Sequence, residues 1–241
     1  MIRVFLLLLF VMPIGCSTKA DRSDSNFARG VDVSLLPHLE DRGITFRDNG
    51  RPDDALRVFK RHGVNYVRLR LFVDPDGTIG QVNTLPYTLA LAKRVKRVGL
   101  QFLLDLHYSD HWADPKSQHI PKAWRGLDQP QLVTQVREYT RQTLLAFHDD
   151  GCAPDMVQVG NEIANGMLWP NGGSLDDAKK WEPFAELVQA GIAGVHDAAA
   201  VTGEKAPPIM IHAHAGDDET VCRWFFDNLR QRGVRWDIIG L

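Results

Sequence analysis

Asn161 and Glu162 stand side by side at the end of an apolar, β-prone run, in the stretch VQVGNEIANGMLWPNG (Val157–Gly172). A carboxylate at such a place can give or take a proton, and a carboxamide beside it can hold a hydroxyl. Val157 and Val159 alternate with Gln158, Gly160 and Glu162, so period two puts Glu162 on the face that would look into a barrel. A carboxyl at the rim of an apolar interior is partly desolvated, which raises its pKa and suits a general acid near neutral pH. Taken bare, the pair reads equally well as a Glu opening a helix.

Other polar residues cluster at the ends of apolar runs: Arg68 and Arg70, Asp105 and His107, His212 and His214. Each has a structural reading beside the functional one. Arg68 and Arg70 could simply pair with Asp32 or Asp105, the histidines could be satisfied core residues, and Trp112 and Trp169 could be packing caps on loops. The stretch DDETVC reads as a helix N-terminus rather than a metal site. No His/Cys cluster has zinc spacing, and neither metal nor cofactor is expected.

These residues are carried by an alternation of strands and helices. The predicted strands are Val31–Ser34, Tyr66–Phe72, Leu100–His107, Met156–Gly160, Pro208–His214 and Trp236–Leu241. Between them, helices are predicted over Asp53–His62, Leu85–Val98, Gln131–His148, Trp181–Ala200 and Glu219–Arg232. Read with no hairpin signal, this is a chain of βαβ units around a parallel sheet. A doubly wound sheet usually has a glycine-rich turn after its first strand, and VDVSLLPHLE has none. Polar residues at several strand ends are instead the layout of a TIM barrel. Unit spacing averages about 41 residues, so eight units would need roughly 330. The fold expected is therefore α/β, an incomplete (β/α)8 TIM barrel with about six strands and five helices. Its first and sixth strands would be raw edges, and the chain alone is expected to be unstable or aggregation-prone.

Composition bounds the rest. A formal net charge of −2 gives no reason to expect nucleic-acid binding, and 44% hydrophobic residues suffice for one large core. MIRVFLLLLFVMPIGC is too short to span a bilayer and reads as a secretory leader. Its small residue before cysteine resembles a bacterial lipoprotein signal, with Pro13 departing from the usual leucine three before the cysteine. Cys16 would then be the lipidated N-terminus, residues 17–27 a tether, and 28–241 the partial barrel. The protein would be exported and lipid-anchored at the bacterial cell envelope, touching a membrane only through that anchor, or otherwise simply secreted. Cys152 and Cys222 are expected to stay unpaired.

The blocks GVDVS (30–34), NYVRLRLF (65–72), DLHYSDHWADP (105–115), GNEIANGMLWPNG (160–172) and PIMIH (208–212), in this order, resemble family 53 of the glycoside hydrolases. These are endo-β-1,4-galactanases of a large clan of retaining (β/α)8 glycosidases. The resemblance implies Glu162 as general acid/base and Asn161 as the partner of the sugar 2-hydroxyl. Arg68 matches the strand-two arginine that positions the nucleophilic carboxylate, with Arg70 one step out on the same face. His107 and His212 would line the pocket, and Trp112 and Trp169 would stack on galactosyl rings. The partner implied is a polysaccharide, the β-1,4-galactan of pectic arabinogalactan. β-Mannan or β-glucan is disfavoured by the family-specific DLHYSDHWADP block. The family's nucleophile is a glutamate at the end of strand seven, and no glutamate here matches it. The expectation is a fragment whose nucleophile lies beyond Leu241, or a galactan-binding remnant that does not hydrolyse.

Overall fold

The computed structural model of the chain describes residues 27–78 and 80–241. The leader, Cys16 and most of the tether lie outside the described residues. Six strands form the main sheet: β1 (Gly30–Asp32), β2 (Tyr66–Leu71), β3 (Gln101–Leu106), β4 (Met156–Val159), β5 (Ile209–His212) and β6 (Ile238–Gly240). Their spatial order is β1-β2-β3-β4-β5-β6, and every neighbouring pair is parallel. A doubly wound sheet must reverse its order at a switch point. Strict succession is instead the order of a (β/α)8 barrel, here incomplete.

Besides a short helix at Leu36–Asp41 that is not predicted from the sequence, the helices between the strands are α1 (Ala55–Arg61), α2 (Leu85–Val98), α3 (Gln129–Asp149), α4 (Trp181–Thr202) and α5 (Glu219–Gln231). Their starts follow local chemistry. Asp54, Thr84, Asp128 and Asp218 each accept a backbone N–H of the first turn, and Asp128 completes a capping box with Gln131. Asp218 in this role accounts for the DDETVC stretch. Gly99 ends α2 at φ +75°, a left-handed cap that favours glycine. The apolar faces of α2, α3 and α4 bury Leu91, Val95, Leu132, Phe147, Phe184 and Val188 against strand residues such as Leu69, Leu104 and Val157.

Three further local features differ from expectation. Strand β1 stops at Asp32 because its own carboxylate takes the Ser34 N–H at 2.9 Å and turns the chain. An Asn49-Gly50 turn, both residues at positive φ, closes a small ribbon (Arg47–Asp48 with Arg51–Pro52) outside the main sheet. That dipeptide is a hairpin signal, so the alternation is not free of one. A second ribbon pairs Gly166–Met167 with Gly172–Gly173, inside the loop that follows Glu162.

Candidate active site

The register of the sheet sets Arg70 beside Asp105 and Asp105 beside Gln158, one polar layer across β2, β3 and β4. Arg68 is the hub of the site above it. Its Nη1 lies 3.0 Å from Asp32 Oδ2, and its Nη2 lies 2.6 Å from both Asp105 Oδ2 and Asn161 Oδ1. Its Nε donates to Gln158 Oε1 at 3.4 Å. Reaching Asn161 and Gln158 means passing over β3, so the sheet is concave on this face. Three of the five guanidinium N–H groups make hydrogen bonds, to Gln158, Asp32 and Asn161, and the contact with Asp105 Oδ2 is an ion pair.

Asp105 is fully buried (0% exposed). Burial alone would raise its pKa, but the His107 ring and the Arg68 guanidinium outweigh this and hold it below the usual carboxylate range. His107 Nε2 lies 2.9 Å from Asp105 Oδ2, while His107 Nδ1 accepts the Ala113 N–H at 3.2 Å. A backbone donor on Nδ1 places the ring proton on Nε2, facing Asp105. The structural readings of Arg68, Arg70 and His107 are thus realised, and the resulting network also holds the residues beside it.

Asn161 is 3% exposed, and its amide orientation is fixed from both ends. Its Nδ2 donates to Ala113 O at 2.7 Å, while Oδ1 takes Arg68 and lies 3.1 Å from His212 Nδ1. An acceptor at that distance puts a proton on His212 Nδ1. Burial, then the charge of Arg68, pushes the His212 pKa below its ordinary value, so the ring is neutral at pH 7.

Glu162 leaves the strand by a strained route. Gly160 has φ +78°, and Glu162 itself has φ +53°, a conformation costing a non-glycine residue about 1 kcal/mol. The alternation of β4 therefore fails beyond Val159: Asn161, not Gly160, joins Gln158 in the inner cluster. Glu162 precedes a short 3-10 turn (Ile163–Asn165), but its side chain does not cap it. The helix-start reading of this residue loses its basis. Burial pushes the half-buried carboxyl above the usual range; His214 pulls it back, Asp114 adds to the rise, and Arg68 and His107 oppose it.

The two loop tryptophans are held differently. Trp112 is 39% exposed and lies over the Arg70 guanidinium, 4.1 Å from it. Arg70 is otherwise tied to Asp32 Oδ1 at 3.2 Å. Trp169 donates from Nε1 to Asn165 O at 3.1 Å, and its indole fits where Gly173 has no side chain. Trp124 and Trp181 are core residues. Gln158, which the sequence reading placed on the inner face without a role, touches four members of the cluster. Nothing in the residue type announces it; only the strand alternation points inward. Cys152 and Cys222 are unpaired.

A profile of glycosyl hydrolase family 53 matches residues 28–241. The chain is 44% identical over 220 residues to an uncharacterised protein of the bgaB 5′ region of Niallia circulans, covering 89% of this chain and 58% of that one. It is 37% identical over 245 residues to a probable arabinogalactan endo-β-1,4-galactanase A of Neosartorya fischeri, covering 99% and 65%. A solved GH53 catalytic domain from Ignisphaera aggregans superposes with a TM-score of 0.80 at 40% identity, over 88% of this chain and 58% of that one. The chain thus spans about three-fifths of the length of the relatives it matches. Strand succession, the Asn-Glu pair at the end of β4 and the match along 28–241 agree: the chain belongs to glycosyl hydrolase family 53.

Proposed function

We propose that these residues form the acid/base and sugar-positioning side of a retaining endo-β-1,4-galactanase site. The observation that carries this is Glu162: a half-buried carboxyl, raised in pKa, not spent on capping, beside a carboxamide locked by Arg68 and Ala113. The galactanase name of a relative supports the substrate. In a double displacement, Glu162 gives its proton to the glycosidic oxygen while a second carboxylate attacks the anomeric carbon. The leaving sugar departs with that proton. Glu162, now ionised, takes a proton from water as it opens the glycosyl ester. Asp32 and Asp105 are occupied with arginines, so the nucleophile is assigned to the family's strand-seven glutamate. Trp112 and Trp169 would flank the bound galactosyl units.

The test is release of reducing ends from β-1,4-galactan by a protein that joins this segment to the strand-seven glutamate, with Glu162→Gln as control. Hydrolysis that survives this substitution within a few-fold would sink the assignment. Binding of galactan without product release would favour the second reading, a non-hydrolysing galactan-binding chain. That reading has one observation in its favour: Asp32 and Asp105, the carboxylates paired with Arg68 among the described residues, are both held by it in ion pairs. We further propose that Cys16 carries a lipid anchor at the cell envelope. Labelled palmitate should enter the wild type and not Cys16→Ala.

A further inference from the structure

Gln158 is buried (1% exposed) in the middle of the cluster. Its Nε2 donates to Asp105 Oδ1 at 2.7 Å and to Gly160 O at 2.8 Å. Asn161 Oδ1 and His212 Nδ1 lie further from it, at 3.2 and 3.5 Å. Its Oε1 faces the Arg68 Nε. An amide nitrogen has two protons, so the two short contacts are its bonds. Turning the amide over would set Oε1 against a carboxylate and a carbonyl, acceptor against acceptor, and Nε2 against Arg68. The orientation is therefore fixed by its neighbours.

Gly160 O belongs to the peptide plane that leads into Asn161. That plane is where the chain abandons the strand, with φ +78° at Gly160, and throws Asn161 inward before Glu162 turns at φ +53°. We propose that Gln158 is a positioning residue for the site: its carboxamide clamps the Gly160–Asn161 peptide to the buried Asp105 and so sets the aim of both Asn161 and Glu162. The role rests on the reading of Asn161 and Glu162 as the sugar-contacting pair. An apolar side chain of equal length would fill the space yet leave Asp105 Oδ1 and Gly160 O without a donor at depth, a cost the turn can relieve only by moving.

Gln158→Glu makes the clamp titratable. Protonated, the introduced carboxyl is nearly the shape of the amide and can still donate to Asp105 or Gly160 O. Ionised, it sets two carboxylates face to face. The pair shares one proton, so its apparent pKa rises above that of an ordinary carboxyl. Two quantities report the clamp: the side-chain amide resonance of Asn161, assigned by its loss in Asn161→Ala, and affinity for β-1,4-galactotriose relative to wild type. For Gln158→Glu at about pH 5 the resonance should match wild type, with affinity within about threefold. By about pH 8 the resonance should shift and relative affinity should fall about tenfold. Gln158→Met should show the shifted resonance and the lower affinity at both pH values. If that variant does not fold, the pH series within Gln158→Glu decides. An Asn161 resonance that stays at its wild-type position in Gln158→Glu at the higher pH would overturn the proposal, as would a folded Gln158→Met indistinguishable from wild type. If the wild type binds no galactotriose while the resonance responds as described, the clamp stands and the galactan reading fails.

Discussion

Glu162 suits the proposed role of acid because its surroundings oppose ionisation. Burial lifts its pKa, and the nearest cations only partly cancel the effect. A carboxyl so raised stays protonated where free glutamates have ionised, so proton donation should persist above the ordinary carboxylate range. It should fail as pH rises through the value of Glu162 itself. In a protein that also carries the strand-seven glutamate, Glu162→Gln should lower the rate of galactan hydrolysis about 10²–10⁴-fold, the usual worth of a general acid. Asp105 has the opposite sign. Its folded pKa is depressed, so its contribution to stability is present above the unfolded value of 3.8 and is lost as pH falls through the lower folded value. Asp105→Asn leaves Arg68 without its deepest partner. It should cost about 3 kcal/mol in urea unfolding near neutral pH and flatten the acid limb of stability. An unfolding midpoint unchanged by Asp105→Asn would show that the ion pair carries no net weight.

At the scale of elements, close approach is set by glycines. A methyl at Gly194 on α4 would lie 2.5 Å from Arg137 O and 2.7 Å from Thr140 Cβ on α3. Gly194→Ala gains up to about 1 kcal/mol in helix propensity but forces the two helices apart, at about 1–3 kcal/mol. Net destabilisation in thermal melting is expected, and a stabilised variant would contradict this packing. Gly173→Ala has a different target. The methyl would overlap the Trp169 indole, so oligosaccharide affinity should drop while the unfolding midpoint moves little. The elements themselves were largely legible in the sequence. Helix Leu85–Val98 is bounded by Thr84, Pro86 and Gly99, all local signals, and it forms as predicted. The turn at Gly160–Glu162 was not legible. Period two extends only as far as the ladder does, and no rule of alternation foresees a glutamate at positive φ. The Asn161 cage was hidden for a related reason: its partners Arg68, Ala113 and His212 come from two other strands and a loop.

For the whole molecule, succession of parallel strands brings the ends of β1 to β5 to one concave face, and that convergence is what makes a site from scattered residues. β1 and β6 each pair on one side only among the described residues, and Ile239 and Leu241 are exposed beside β6. These open edges favour strand-to-strand association. Light scattering on the 241-residue chain should therefore show mass rising with concentration toward about 100 μM, and a constant monomer mass would argue against it. If the concave face is built for β-1,4-linked galactose, as proposed, calorimetric titration of this chain with β-1,4-galactotetraose and with cellotetraose should tell the two sugars apart. Saturable binding of the galactose tetramer, about tenfold tighter than the glucose tetramer and weakened about tenfold by Asn161→Ala, is the expected result. Equal affinity for the two sugars, or binding untouched by Asn161→Ala, would contradict it.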